Sequence, residues 1–244
     1  MKLRENSNLE DRLIVALDYS AWTEAEKLVQ LLPEVKFFKV GLELYLASRG
    51  QAVSKLKELG KEVFLDLKFH DIPHTVDRAC RQAVEQGATI FNLHASGGRE
   101  MMRRGVQAAH ERAAELGISV PLVIAVTVLT SLDEQGLQEI GLENIEKTVL
   151  NFARLAEEVG LDGVVASPQE VALIRKHCGP NFKIICPGIR PKWAATNDQK
   201  RITTPQEAIS LGADYLVVGR PITAAADPRQ AALRVMEEIT AHEI

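Results

Sequence analysis

The 244 residues are 46% hydrophobic and 25% charged, an ordinary globular balance that permits one large domain or two small ones. A formal net charge of −4 leaves no global basic footprint for nucleic acid. No apolar run approaches the ~20 residues of a membrane span.

Residues 1–10 read as a polar lead-in. Met1-Lys2-Leu3-Arg4-Glu5-Asn6-Ser7-Asn8 lacks the apolar stretch of a secretory signal, so the expected location is the cytoplasm. The three cysteines, Cys80, Cys178 and Cys186, form no C-x-x-C pair and fit that reducing compartment as small buried hydrophobes.

In chain order, β-rich runs fall at Leu13–Leu17, Phe37–Val40, Glu62–Lys68, Thr89–His94, Leu122–Thr127, Gly163–Ala166, Lys183–Cys186 and Tyr215–Gly219. Helical patterns lie between them, at Thr23–Leu32, Gln51–Leu59, Val76–Glu85, Arg99–Glu115, Thr148–Val159, Pro168–Lys176 and Pro205–Ser210. Gly60, Gly87, Gly117, Gly160 and Gly212 each close a helical stretch just before a β-rich run, where a left-handed residue is a natural stop. The strands are nearly continuous apolar runs, as when both faces are covered. Alternating β and α with short joints gives a parallel sheet, and eight repeats predict an α/β fold of the (β/α)8 TIM barrel type in one domain. An open doubly wound sheet is the alternative, but Asp18-Tyr19-Ser20 replaces the glycine-rich turn that such sheets carry after the first strand. The longest irregular stretch, about 187–204, has the length of a lid or binding loop.

In such a barrel the site lies at the C-terminal ends of the strands. Those ends present Asp18, Lys39, Asp66 with Lys68 and Asp71, His94, Thr127 with Thr130 and Ser131, Ser167, Arg190, and Gly219-Arg220. The run Phe64-Leu65-Asp66-Leu67-Lys68-Phe69-His70-Asp71-Ile72-Pro73-His74-Thr75 is the most charged of them. Asp66 and Lys68 are two apart and so face one way on an extended chain. Burying such a pair for stability alone is poor value against an apolar pair, so the run reads as a reaction site. Lys39 in Phe37-Phe38-Lys39-Val40-Gly41 needs a carboxylate, and Asp66 on the neighbouring strand is the expected partner.

Pro73 fits the first turn of a helix, where Asp71 would serve as a cap if it were only structural. A metal site at His70, Asp71 and His74 is disfavoured because Pro73 breaks the helix that would align the histidines. His110, His177 and His242 carry no assigned role. Gly219-Arg220-Pro221-Ile222-Thr223 ends the last strand where this fold usually binds phosphate, with Arg190, Gln199 and Arg201 nearby in sequence order on the long loop.

With these residues assembled, the chain closely resembles the orotidine 5′-phosphate decarboxylase family of bacterial type, within the ribulose-phosphate-binding barrel superfamily. The matching segments are Ala16-Leu17-Asp18, Phe38-Lys39-Val40-Gly41, Asp66 through Thr75, Asn92-Leu93-His94, Val128-Leu129-Thr130-Ser131, Pro187-Gly188-Ile189-Arg190, Gly212-Ala213-Asp214 and Val217 through Thr223. The resemblance implies decarboxylation of orotidine 5′-phosphate to UMP, with Lys68 as proton donor to C6 and Asp66 beside the substrate carboxylate. Lys39 is linked to Asp66, and Asp18 with Lys39 contacts the ribose. Asp71 and Thr75 reach into the neighbouring subunit's site in a homodimer, with Ile72 between them also counted as substrate-binding. Thr130 and Ser131 lie near the pyrimidine. Gln199, Gly219 and Arg220 hold phosphate, with Arg190 on the closing loop. No metal or organic cofactor is implied.

Two other readings stay open on the residues. One is a Mg²⁺-dependent sugar-phosphate decarboxylase or aldolase of the same superfamily, of the 3-keto-gulonate phosphate decarboxylase or hexulose phosphate synthase type. The other is a non-catalytic nucleotide-binding barrel.

Overall fold

Short apolar runs, five of them preceded by a helical stretch that stops at glycine, satisfy their backbones by pairing side by side in chain order. The computed structural model describes residues 9–194 and 203–241. The strands are β1 Leu13–Ala16, β2 Phe37–Gly41, β3 Glu62–Phe69, β4 Ile90–His94, β5 Leu122–Val126, β6 Gly163–Val165, β7 Lys183–Cys186 and β8 Tyr215–Val218. Each pairs in parallel with the next, and β8 returns to β1 through Ile14↔Val217, which closes the barrel. Closure excludes the open doubly wound sheet. The sequence-based strand limits differ from these by at most one residue at either end.

The helices are α1 Trp22–Leu31, α2 Leu42–Ala47, α3 Gln51–Glu58, α4 Pro73–Glu85, α5 Gly98–Leu116 and α6 Glu134–Glu139. They continue as α7 Ile145–Glu158, α8 Val171–His177, α9 Pro205–Ser210, α10 Arg220–Thr223 and α11 Pro228–Thr240. The five glycine joints read from the sequence all have positive φ, between 65° and 106°. The sequence reading assigned no helix after β8. The structure adds α11, whose Asp227 cap accepts from the Gln230 N–H at 3.0 Å. The polar lead-in gives way to a 3₁₀ turn at Leu9–Arg12.

The strands divide their side chains by the period of two. Leu13, Val15, Phe38, Val63, Phe91 and Val123 join the large core under the helices. Ile14, Phe37, Phe64, Ile90, Ile124 and Tyr215 form a second cluster that fills the barrel. Two residues further along, the inward set places Lys39, Asp66, Asn92, Val126 and Val217 at the barrel mouth. The charges of the site therefore sit on the top layer of an otherwise apolar filling.

Glu170, in the 3₁₀ turn Pro168–Glu170 after β6, is a buried carboxyl. Burial pushes its pKa up to about 7, which a hydrogen bond from the Ser167 backbone only partly opposes. Its folded pKa is raised, so between pH ~4.5 and ~7 the unfolded chain ionises while the folded one does not. Stability falls as pH rises through that window, by roughly 3 kcal/mol in total. Glu170→Gln is therefore expected to raise the melting temperature by several degrees at pH 8 and by much less at pH 5. Equal shifts at both pH values in thermal melts would contradict this.

Candidate active site

The site is built where β1, β2, β3 and β4 end. Gly41 of β2 is paired with Asp66 of β3, so Lys39 and Asp66 rise from adjacent strands on the inward face. Lys39 Nζ lies 3.0 Å from Asp18 Oδ1 and 3.5 Å from Asp66 Oδ2. Lys68 Nζ lies 2.7 Å from Asp66 Oδ1. The side chains of Lys39 and Asp66 are only 12% and 13% exposed, whereas those of Lys68 and Asp18 are 32% and 63% exposed. The four charges thus form an alternating chain, Asp18–Lys39–Asp66–Lys68, that runs from the rim into the barrel. Mutual pairing is what makes the buried half tolerable. Gly41 leaves room for it: a Cβ there would come within 3.0 Å of Lys39 Nζ.

The expectation of a plainly extended strand through Lys68 needs correction. β3 carries a register shift between Leu65 and Phe69, and Lys68 has φ 54°, in the left-handed region. Asp66 and Lys68 do meet, but a bulge brings the ammonium back onto the carboxylate. Asn92 of β4, only 1% exposed, completes the cluster. Its Nδ2 donates to Asp66 Oδ1 at 2.7 Å and its Oδ1 accepts from the Lys68 backbone N–H at 2.8 Å. The sequence reading gave Asn92 no role. Its signal was a polar residue on the inward period of an apolar strand.

His94 ends β4 with its ring 5.2 Å from that of His70. Burial first, then the neighbouring His70 and Lys68, hold its pKa below the usual histidine value. Among the described residues no group of three or more His, Cys, Asp or Glu converges to hold a metal ion. Thr127 is buried, and its hydroxyl donates to the Val165 carbonyl at 3.0 Å, a structural bond between β5 and β6.

A cavity of about 140 Å³ opens over the charges, lined by Lys39, Asp66, Lys68, Thr130, Pro187 and apolar strand ends. Ser131 is exposed beside Thr130 and does not line it. A larger cavity of about 580 Å³ lies at the opposite end, before β5, β6 and β7, and contains none of the site residues. Size alone does not mark the chemistry here; the charge cluster does.

Asp71, Ile72 and Thr75 do not line this cavity and are exposed. Asp71 is not the helix cap. Pro73 restricts the residue before it to extended backbone, so Ile72 (φ −57°, ψ 151°) takes the cap position, and Asp71 Oδ1 accepts instead from the Ile72 N–H at 2.7 Å.

On the far side, Gly219 approaches β1: a Cβ there would lie 3.9 Å from Asp18 Oδ2. Arg220 opens α10 and is exposed. The neck of the long loop is tied by the Arg190 N–H donating to the Thr203 carbonyl at 3.1 Å. A capping box of Thr204 and Glu207 follows at the start of α9. Trp193 anchors the other side: its Nε1 donates to Glu238 Oε1 at 2.8 Å, and Arg234 stacks 4.3 Å from the ring centre. Gln199 and Arg201 lie outside the described residues.

Residues 11–235 match the model of the orotidine 5′-phosphate decarboxylase / HUMPS family. The chain is 51% identical over 232 residues to an orotidine 5′-phosphate decarboxylase of Moorella thermoacetica, covering 94% of this chain and 92% of that protein. It is 48% identical over 234 residues to one from Syntrophomonas wolfei, covering 94% and 98%. A crystal structure of orotidine 5′-phosphate decarboxylase from Lactobacillus acidophilus superposes with a TM-score of 0.84 at 35% identity, covering 94% and 99% of the two chains. The chain belongs to the orotidine 5′-phosphate decarboxylase / HUMPS family.

Proposed function

We propose that this protein is a cofactor-independent carboxy-lyase that decarboxylates orotidine 5′-phosphate to UMP, the step that completes UMP synthesis. The family description covers more than one activity, but relatives at about half identity carry the orotidylate name. The observation that carries the reading is the alternating Asp18–Lys39–Asp66–Lys68 chain beneath a small cavity at the barrel mouth.

The mechanism follows from the charges. The substrate carboxylate enters beside Asp66, where like charge disfavours it. The bond from C6 to the carboxylate breaks and its electron pair stays on C6, in the ring plane, where the π-system cannot delocalise it. Lys68 places an ammonium against that developing charge and then transfers a proton to C6. Lys68 regains a proton from solvent after CO₂ leaves.

Lys39 holds Asp66 in place, and with Asp18 it offers polar contacts to the ribose. Thr130 and Ser131 flank the pyrimidine. Gly219, Arg220, Arg190 and Gln199 take the phosphate, with the stretch of about 187–204 closing over it. Binding energy spent there, far from C6, orients the ring.

Asp71 and Thr75 serve the neighbouring site of a homodimer, with Ile72 at the same contact. Two features support this: all three are exposed and none lines its own chain's cavity, and Ile72 is a large apolar side chain left 66% exposed in a single chain. We place the enzyme in the cytoplasm, which suits its three free, buried thiols.

The test is direct. Purified protein is incubated with orotidine 5′-phosphate, and UMP is followed with and without EDTA. Turnover that EDTA leaves unchanged is expected. No UMP, or activity only on a sugar phosphate and only with Mg²⁺, would overturn the reading.

A further inference from the structure

We propose that Asn92 is a positioning residue that holds Asp66 and Lys68 in their reactive arrangement. The inference rests on the roles given above to those two residues and names what keeps them in register.

The bulge creates the need. Leu65 faces Phe91 and Phe69 faces Leu93, so Asp66, Leu67 and Lys68 of β3 stand opposite the single residue Asn92 of β4. The regular ladder lapses there, and Lys68 is turned to φ 54°, a region that residues with side chains avoid. Its backbone N–H, inside the barrel wall, finds the Asn92 Oδ1 at 2.8 Å in place of a strand carbonyl. The other end of the same amide donates to Asp66 Oδ1 at 2.7 Å. That oxygen also accepts from Lys68 Nζ at 2.7 Å. One side chain therefore ties the Lys68 backbone to the carboxylate that fixes the Lys68 ammonium.

The residue type is demanding. The position needs one acceptor and one donor a fixed distance apart, without charge, in a place only 1% exposed. An apolar residue would leave the Lys68 N–H orphaned, which is costly in a buried strand. An ionised aspartate would set a second carboxylate against Asp66. A protonated aspartate, however, has the same donor and acceptor as asparagine. That difference between two protonation states of one variant separates positioning from mere packing.

The experiment is steady-state kinetics of full-length wild type, Asn92→Ala and Asn92→Asp on orotidine 5′-phosphate across pH, with a thermal melt of each. For Asn92→Ala, kcat is expected to fall by about 30- to 100-fold, the scale of a small misplacement of a reacting group. KM should change by less than about threefold, because the phosphate contacts are remote. For Asn92→Asp, kcat is expected to approach wild type at the acid end and to fall as pH rises through a new limb absent from wild type. If Asn92→Ala does not fold, the isosteric Asn92→Asp profile decides.

A wild-type-shaped pH profile for Asn92→Asp, or an Asn92→Ala kcat within about threefold of wild type, overturns the inference alone. A wild type that forms no UMP overturns the functional reading and this inference with it.

Discussion

Lys68→Ala is expected to lower kcat on orotidine 5′-phosphate by at least about 10⁴-fold, since it removes both a general acid and the charge that meets the carbanion. The two losses fall on one atom. Lys68 Nζ is the only ammonium in the cluster that is both hydrogen-bonded to Asp66 and about one-third exposed toward the cavity, while Lys39 is 12% exposed and paired on two sides. Lys39 therefore cannot take over: moving it to C6 would strip Asp18 and Asp66 of their partner. KM should change little, because Arg190 and Arg220 lie on other strand ends. A fall in kcat with KM held marks an interaction made in the transition state rather than in binding. Rapid-quench or absorbance assays at saturating substrate check this. A variant within tenfold of wild type would remove Lys68 from the chemistry.

The second large effect is expected at Asp71, and its signature is complementation. Asp71→Ala alone should lower kcat by about 10² or more, because in the proposed homodimer the carboxylate that each chain lends to its neighbour's site is lost from both sites. Mixing that variant with Lys68→Ala, under conditions where subunits exchange, creates a heterodimer with one native site. That site combines Lys68 from one chain with Asp71 from the other. With equal mixing, about one quarter of all sites become native, against none in either parent. Activity near that fraction is the expected result. No recovery, with exchange shown independently, would place Asp71 in its own chain's site or outside the site altogether. Within a single chain the side chain is exposed and does not line the cavity.

Much of this was legible because charge in an apolar strand is conspicuous. Lys39 between Phe38 and Val40, and Asp66 between Leu65 and Leu67, announce themselves by their cost. The eight strands were legible for the complementary reason: both of their faces are apolar, and glycine marks five of the joints. Asn92 was not legible, because a neutral side chain on a strand carries little signal and its importance comes from a bulge on the neighbouring strand. The same bulge explains why the spacing of Asp66 and Lys68 led to the right pair through the wrong backbone. Sequence periodicity assumes regular strands, and β3 departs from that at Lys68. The Asp71 cap failed because Pro73 acts on the residue before it, which hands the cap to Ile72. Trp193 with Arg234 and Glu238 joins segments some forty residues apart, beyond any local pattern. For Gln199, which lies outside the described residues, the phosphate assignment still rests on the family resemblance.

The central claim is that an ammonium at the end of residue 68 does the work. It is tested most directly by Lys68→Cys followed by alkylation with 2-bromoethylamine, which rebuilds a lysine-length ammonium on sulfur. The background is favourable: Cys80, Cys178 and Cys186 are all buried, and burial pushes the Cys80 thiol up to about 12 and the Cys178 thiol up to about 11. The unmodified variant should be nearly inactive. Aminoethylation should restore turnover by at least about 10²-fold, while alkylation with iodoacetamide, which adds a neutral amide, should not. Equal recovery with both reagents, or none with the amine, would contradict the account.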